Sequence, residues 1–145
     1  MQTAASPRPE GSEMPTTVPP DPEAESFATQ EAIAATIQNY IDGARTADLR
    51  LMRLAFAETA RISGTYSGKP VEWTVQEFCS IIEKGGPAAD LEARIVGVEY
   101  AGNAGMARLE AQNWRGTRYT DFFVLLKQGD VWRITSKVFF AHSRA

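Results

Sequence analysis

The chain has 145 residues, a net charge of −3 and a pI near 5.2, and 43% of its residues are hydrophobic. This length fits one domain with a hydrophobic core. The acidic balance argues against a nucleic-acid partner, which would favour a basic face. No apolar run approaches the roughly 18 residues that a membrane span needs, and no secretory signal is visible. The single cysteine, Cys79, rules out an intrachain disulfide. A cytoplasmic protein is therefore predicted.

The first 25 residues are predicted to be a disordered tail, with the folded domain occupying residues 26–145. This tail is rich in Pro, Ser, Thr and Glu, and six of the eight prolines fall between Pro7 and Pro22. Such a segment buries too little apolar surface to offset the entropy lost on ordering.

Three helices are predicted in the first part of the domain. The first begins at Ser26 or Thr29, either of which could cap it. Asp48 can cap a second, shorter helix. The third carries the clearest signal, because Thr74 and Glu77 have the spacing of a capping box. The apolar stripe of the first helix consists of Ile33, Ile37, Tyr40, Ile41 and Ala44.

Strands are predicted around and after the third helix. A small hairpin within residues 60–73 turns at Ser67-Gly68, and two longer strands span residues 91–100 and 106–114. The last hairpin spans residues 119–140, and its Gly129-Asp130 pair suits a two-residue turn. Helices followed by a long, mainly antiparallel sheet predict an α+β fold.

The register of the last hairpin can be counted from its turn. It places Leu125 opposite Ile134 and Asp121 opposite Val138. Because strand side chains alternate between faces, Asp121 should share the inner face with Trp132.

The opposite face of this hairpin is also apolar. It is predicted to carry Phe122, Val124, Leu126 and Phe139, with Lys137 at the surface or in an interface. Monomers rarely expose such a patch, so the pattern favours a homodimer formed through this outer face.

The order of elements, together with several short segments, resembles the nuclear transport factor 2-like superfamily. The segment from about Glu31 to His142 is similar to its bacterial members labelled SnoaL-like or "putative lumazine-binding". The resemblance implies a cone-shaped fold, in which a curved sheet wraps around the three helices and leaves a pocket open at one end. It also implies a homodimer. The segments that carry it are Tyr40-Ile41-Asp42-Gly43, residues 56–64, Tyr119-Thr120-Asp121-Phe122, Leu125-Leu126-Lys127, Trp132-Arg133-Ile134 and Lys137-Val138-Phe139.

Asp121 is the first candidate for chemistry. A carboxylate on an apolar inner face is poorly solvated, and desolvation raises its pKa into the range of a useful acid or base. Tyr119 on the same face could donate a hydrogen bond to a ligand. The alternative is that Asp121 is a buried structural acceptor. His142, the sole histidine, lies about 13 Å along the strand from Val138, which argues against a direct Asp-His dyad.

Amphipathic and aromatic side chains are expected to line the cone and to bind a small hydrophobic molecule. No spacing of His, Asp and Glu residues suggests a metal site, and no cofactor motif is present. The predicted ligand-binding residues are Tyr40, Tyr66, Trp73, Phe123 and Trp132.

The superfamily includes enzymes and non-catalytic modules, so function does not follow from the fold. The favoured hypothesis is a small-molecule-binding domain with an apolar pocket. One alternative is an isomerase, dehydratase or cyclase with Asp121 as its general base. Another is a structural homodimerisation module.

Overall fold

The computed structural model describes residues 21–142, so most of the predicted tail lies outside the described residues. The fold is α+β, as predicted, with three helices and a six-stranded sheet. The elements are α1 (Pro22–Thr46), α2 (Leu49–Ala55), β1 (Phe56–Tyr66), β2 (Lys69–Thr74), α3 (Val75–Gly85), β3 (Glu92–Ala101), β4 (Ala104–Trp114), β5 (Thr117–Gln128) and β6 (Val131–Ala141).

Helix α1 begins earlier than the sequence analysis placed it. Asp21 is the N-cap and accepts a hydrogen bond from the Glu23 amide, with Pro22 at the first helical position. Proline suits this position because its missing N–H would have no partner inside the helix. The prediction that structure starts at Ser26 or Thr29 is therefore wrong.

The caps of the other two helices are those predicted. The Asp48 carboxylate accepts from the amides of Arg50 and Leu51 at the start of α2. Thr74 and Glu77 form both hydrogen bonds of a capping box at the start of α3. Gly86 ends α3 at a φ of 75°, a conformation that favours glycine.

The sheet has the strand order β2-β1-β6-β5-β4-β3. All neighbouring strands are antiparallel except β1 and β6, which are parallel. Pro70 lies in β2, the edge strand, where its missing donor does least harm. The three helices contact one face of this sheet, and the core lies between them.

A β-bulge in β6 changes the predicted register of the last hairpin. From the turn to the pair Leu125–Ile134 the pairing is as predicted. Val124 then pairs with Ser136, so Thr135 is an extra residue on β6. Beyond this point every β6 side chain points to the face opposite to the predicted one.

The bulge corrects three assignments. Lys137 and Phe139, predicted on the outer face, point inward and are 3% and 5% exposed. Val138, predicted inside, is 50% exposed on the outer face. Asp121 pairs with Phe139 instead of Val138 and remains inside, fully buried. The inner face therefore contains an acid and a base together.

Trp132 lies in the core, as its predicted position beneath the helices requires. It is 4% exposed, and its carbonyl accepts a 2.8 Å hydrogen bond from the Thr36 hydroxyl of α1. Among the described residues, no helix is long and apolar enough to cross a membrane.

Candidate functional site

A pocket of about 330 Å³ opens between α3 and the inner face of the sheet. Its walls are mainly apolar, with six aromatic side chains along them and Lys137 and Arg115 as basic groups. The lining residues are Tyr66, Trp73, Phe78, Ile81, Ile82, Gly85, Gly86, Trp114, Arg115, Thr117, Tyr119, Lys137 and Phe139.

Gly64 allows one wall of the pocket to form. It pairs with Phe139 across the parallel β1–β6 ladder. A Cβ at position 64 would lie 2.5 Å from Phe139 Cδ1, closer than real contacts allow. The missing side chain thus lets the Phe139 ring lie against β1, where it stacks on Trp73 with ring centroids 5.8 Å apart.

Lys137 is enclosed by aromatic rings. Its side chain is 4% exposed, and Nζ lies 4.6 Å from the ring centroid of Phe78 and 4.8 Å from that of Phe139. The rings of Tyr40 and Trp114 follow at 4.8 Å and 5.7 Å. Such rings attract an ammonium by cation–π interaction, by about 2 kcal/mol when water is excluded, and so oppose part of the cost of removing its charge from water.

Behind these rings, Lys137 joins a buried network with Tyr40 and Asp121. Lys137 Nζ donates a 2.6 Å hydrogen bond to the Tyr40 hydroxyl, which donates a 3.4 Å bond to Asp121 Oδ2. The direct distance from Lys137 Nζ to Asp121 Oδ2 is 4.0 Å. Tyr40 therefore connects the base to the acid.

Burial disfavours the charged form of each member of the network. Desolvation raises the pKa of Asp121 above 3.8, and the attraction of Lys137 opposes part of that effect. Desolvation lowers the pKa of Lys137 below 10.5, with Asp121 opposing in turn. Burial and the neighbouring carboxylate also raise the pKa of Tyr40 well above 10.0, which keeps its phenol protonated.

The hydrogen bonding of Asp121 is consistent with its raised pKa. Its Oδ1 is buried and has no hydrogen-bond partner within residues 21–142. An ionised carboxylate normally needs several close donors when it leaves water. Among the described residues, Asp121 receives one long hydrogen bond from Tyr40, and the Lys137 nitrogen lies 4.0 Å from its Oδ2. Burial therefore disfavours the ionised carboxyl and the protonated amine, and their mutual attraction opposes this effect.

Three of the residues predicted to form the site line the pocket. Tyr119 and Trp73 are half-buried in its walls, and Tyr66, at 42% exposure, lies at its mouth. The Tyr119 ring packs edge-on against Trp114 and Phe139. Tyr119 and Trp73 therefore contact the same wall residue, Phe139.

The other predicted site residues lie deeper or elsewhere. Asp121 and Tyr40 are fully buried, and they reach the pocket through Lys137. Phe123 is buried against the Tyr40 ring at 5.2 Å. Trp132 lies beside Gly105, where an added Cβ would approach it to 3.2 Å, near α1 instead of the pocket.

Lys137 is the functional residue that sequence reasoning missed. Its predicted place on the outer face followed from an unbulged hairpin. The sequence gives little indication of the bulge. Either Lys137 and Phe139, or Val138 and Phe140, could face the core, because each pair includes a phenylalanine. Phe78 and Trp114 also flank the amine, and neither is among the site residues predicted from the sequence.

His142 lies on the outer face, away from the pocket. Its Nε2 is 2.9 Å from the Thr120 hydroxyl, which donates to the Glu110 carboxylate. Its backbone amide donates to the Arg118 carbonyl. Within residues 21–142, no group of three or more His, Cys, Asp or Glu side chains is placed to hold a metal ion.

Comparison with known proteins gives a family and a fold. The family described as "Putative lumazine-binding" matches residues 28–140. An NTF2-like protein of unknown function from Shewanella baltica is 30% identical, with a TM-score of 0.76, over 81% of this chain and 96% of that chain. A similar protein from Methylobacillus flagellatus is 28% identical, with a TM-score of 0.76, over 80% of this chain and 94% of that one. No functionally curated protein matches.

Proposed function

Since this chain belongs to the family described as "Putative lumazine-binding", within the NTF2-like superfamily, we propose that it binds a small, flat, largely apolar molecule in the pocket that ends at Lys137. The observation that carries this proposal is the aromatic lining around a single buried amine. Phe78, Trp114 and Phe139 contribute both to the pocket wall and to the surroundings of Nζ.

The size and chemistry of the pocket restrict its ligand. A volume of about 330 Å³ is at the lower end of the usual range for small-molecule sites, about 300–1,000 Å³. Aromatic walls favour ring systems that stack on them, and few polar groups fix the ligand's orientation. Lys137 and Tyr119 are polar groups that could do so. A bicyclic ring with one hydrogen-bond acceptor meets these requirements.

A proton-transfer enzyme, such as an isomerase, dehydratase or cyclase, is the second candidate. The chain of hydrogen bonds from Lys137 through Tyr40 to Asp121 favours it, because such a chain can move a proton between the pocket and a buried carboxyl. In this candidate Asp121 remains the final base, as proposed from the sequence, but it acts through Tyr40 and Lys137.

We also propose that a second copy of the chain covers the outer face of the sheet. Phe122, Val124, Val138 and Phe140 are each 45–51% exposed there. They lie on the adjacent strands β5 and β6, so they form one apolar patch, and monomeric proteins rarely expose large patches of this kind. The sequence predicted Phe139 on this outer face, whereas the structure places Val138 and Phe140 there.

Titration calorimetry with 2-naphthalenemethanol, a flat bicyclic alcohol, tests the binding proposal. We expect saturable binding that is weakened at least about tenfold, or roughly 1.4 kcal/mol, by Ile81→Trp. Ile81 is 42% exposed at the pocket, so a larger side chain can block the opening without entering the core.

Leu54→Trp is the matched control. Leu54 is also a helical residue, is 44% exposed, and is not among the residues lining this pocket. It should bind the alcohol as the wild type does. Equal weakening by both substitutions, or no binding to the wild type, would contradict the proposal.

A further inference from the structure

We propose that Lys137 is an amine nucleophile, which forms an imine with an aldehyde or ketone group of the molecule bound in the pocket. This inference rests on the proposed function and narrows its ligand to the carbonyl compounds. It assigns the lysine a covalent role that hydrogen bonding alone would not require.

The position of Nζ is the first reason. Lys137 is among the residues that line the pocket, and its side chain is 4% exposed, so a molecule that fills the pocket contacts this residue. One N–H is held by the Tyr40 hydroxyl at 2.6 Å, which leaves the other tetrahedral positions of the nitrogen directed away from Tyr40. A neutral amine in this position can present its lone pair to a bound carbonyl carbon.

The surroundings of the nitrogen are the second reason. An amine attacks only in its neutral form, and a lysine in an apolar pocket is activated by desolvation. Lys137 is enclosed by Phe78, Trp114 and Phe139, and burial lowers its pKa below 10.5. Among the described residues, the other charged or titratable groups that join the network or line the pocket are Tyr40 of α1, Tyr66 of β1, Tyr119 and Asp121 of β5, and Arg115 between β4 and β5. Glu110 of β4 acts on Asp121 only through its charge, from the opposite face of the sheet.

Tyr40 and Asp121 carry one of the two protons that leave the nitrogen during imine formation. When the neutral amine attacks, a C–N bond forms and the C=O π electrons move to oxygen, which takes a proton from solvent water. The nitrogen passes one proton to Tyr40 as Tyr40 passes its own to the ionised Asp121 Oδ2, along the existing hydrogen bonds. The oxygen takes a second proton from water and leaves as water, while the nitrogen lone pair forms the C=N bond. The second nitrogen proton and the proton on Asp121 return to solvent, so the products are the imine and water, with no oxidation or reduction.

Reductive trapping of the imine tests the proposal. The wild-type protein is mixed with 2-naphthaldehyde and sodium cyanoborohydride near neutral pH, and the labelled lysine is identified by peptide mass spectrometry. Lys69, Lys84 and Lys127, the remaining lysines of the chain, are exposed and serve as internal controls. We expect labelling of Lys137 at least about tenfold faster than each of these, because the pocket would hold the aldehyde beside this lysine.

Three variants assign the label to the pocket. Ile81→Trp should slow labelling of Lys137 while Leu54→Trp should not, and neither should change labelling of the exposed lysines. Lys137→Arg should reduce total labelling to the background of the exposed lysines. If Lys137→Arg does not fold, the peptide map of the wild type still tests the proposal, because it compares the labelling of Lys137 with that of the exposed lysines.

The alcohol and the aldehyde separate the two proposals. If 2-naphthalenemethanol binds and competes at the pocket, but Lys137 is labelled no faster than the exposed lysines, the imine proposal is wrong and the binding proposal stands. If the alcohol does not bind and Lys137 is not labelled, both proposals fail. If Lys137 is labelled fast and excess 2-naphthalenemethanol suppresses this labelling, both the binding proposal and the imine proposal are supported.

Discussion

Among single residues, the most important feature is a buried acid and a buried base that are both hydrogen-bonded to the same tyrosine. Asp121 and Lys137 lie 4.0 Å apart, and Tyr40 bridges them. Removing one member of such a buried pair is costly, because the other member loses a polar partner in a place without water. The network therefore links the stability of the core to the reactivity of the pocket.

We expect the stability advantage of the wild type over Asp121→Asn to be largest in acid and to shrink as the pH rises. The folded protein raises the pKa of Asp121 above 3.8, so it holds this proton more tightly than the unfolded chain does. The stability due to the neutral carboxyl is fully present below pH 3.8 and is lost as the pH rises through the folded-state pKa. Urea unfolding of both proteins over a series of pH values measures the difference.

Glu110 provides a control of opposite sign. Its partial burial would raise its pKa, but hydrogen bonds from Arg118, Thr120 and Arg108 hold the pKa below 4.5. The stability advantage over Glu110→Gln should therefore be present above pH 4.5 and lost as the pH falls. If the advantage over Asp121→Asn also grew with pH, the ionised carboxylate would be the form that the fold stabilises.

At the scale of elements, the bulge at Thr135 places the base in the pocket. Before it, Trp132 and Ile134 point inward, and after it Lys137 and Phe139 do. The unbulged strand would instead expose Lys137 and turn Val138 inward. The extra residue thus decides which side chains face the acid.

Deletion of Thr135 should keep Lys137 and Phe139 on the inner face, because Ser136 already pairs with Val124 and the deletion removes only the residue without a partner on β5. We expect a loss of about 1–3 kcal/mol from the bend that the bulge gives to β6, well below the roughly 5–15 kcal/mol that typically stabilise a small domain. Thr135→Ala keeps the extra residue and removes only the 3.2 Å hydrogen bond from its hydroxyl to the Val124 carbonyl. It should cost about 1 kcal/mol or less.

Urea unfolding followed by circular dichroism compares the two variants. A deletion variant that lost most of the stability of the domain would contradict this prediction and would mean that the fold requires the extra residue itself.

At the scale of the whole molecule, one sheet has a pocket on its inner face and an apolar patch on its outer face. The Arg108 guanidinium lies 5.4 Å from the Phe122 ring and borders the patch. The two faces use alternate residues of the same strands, so the pocket and the proposed interface are separate surfaces.

Val124→Arg should convert the proposed homodimer to a monomer. Val124 is 50% exposed within the patch, and a charge there would lose water on association. Val131→Arg is the control, because Val131 is 46% exposed but lies next to the hairpin turn. Sedimentation velocity at micromolar concentrations should show a dimer for the wild type and for Val131→Arg. A monomeric wild type would contradict the proposal.

The sequence determined the local structure of this protein. The capping box at Thr74, the cap at Asp48 and the turn at Gly129 depend on neighbouring residues, and all three are present. The α+β class follows from the order of elements. The start of α1 was missed because Asp21-Pro22, a good helix start, lies within a proline-rich stretch.

The residues of the site are brought together by tertiary contacts that the sequence pattern does not reveal. Tyr40 is 81 residues from Asp121 and 97 from Lys137, so no local pattern brings them together. The sequence could place Asp121 inside but not Lys137, because β6 is apolar on both faces and either register buries an aromatic ring. The bulge at Thr135, a feature of how the sheet pairs, settles which face the lysine occupies.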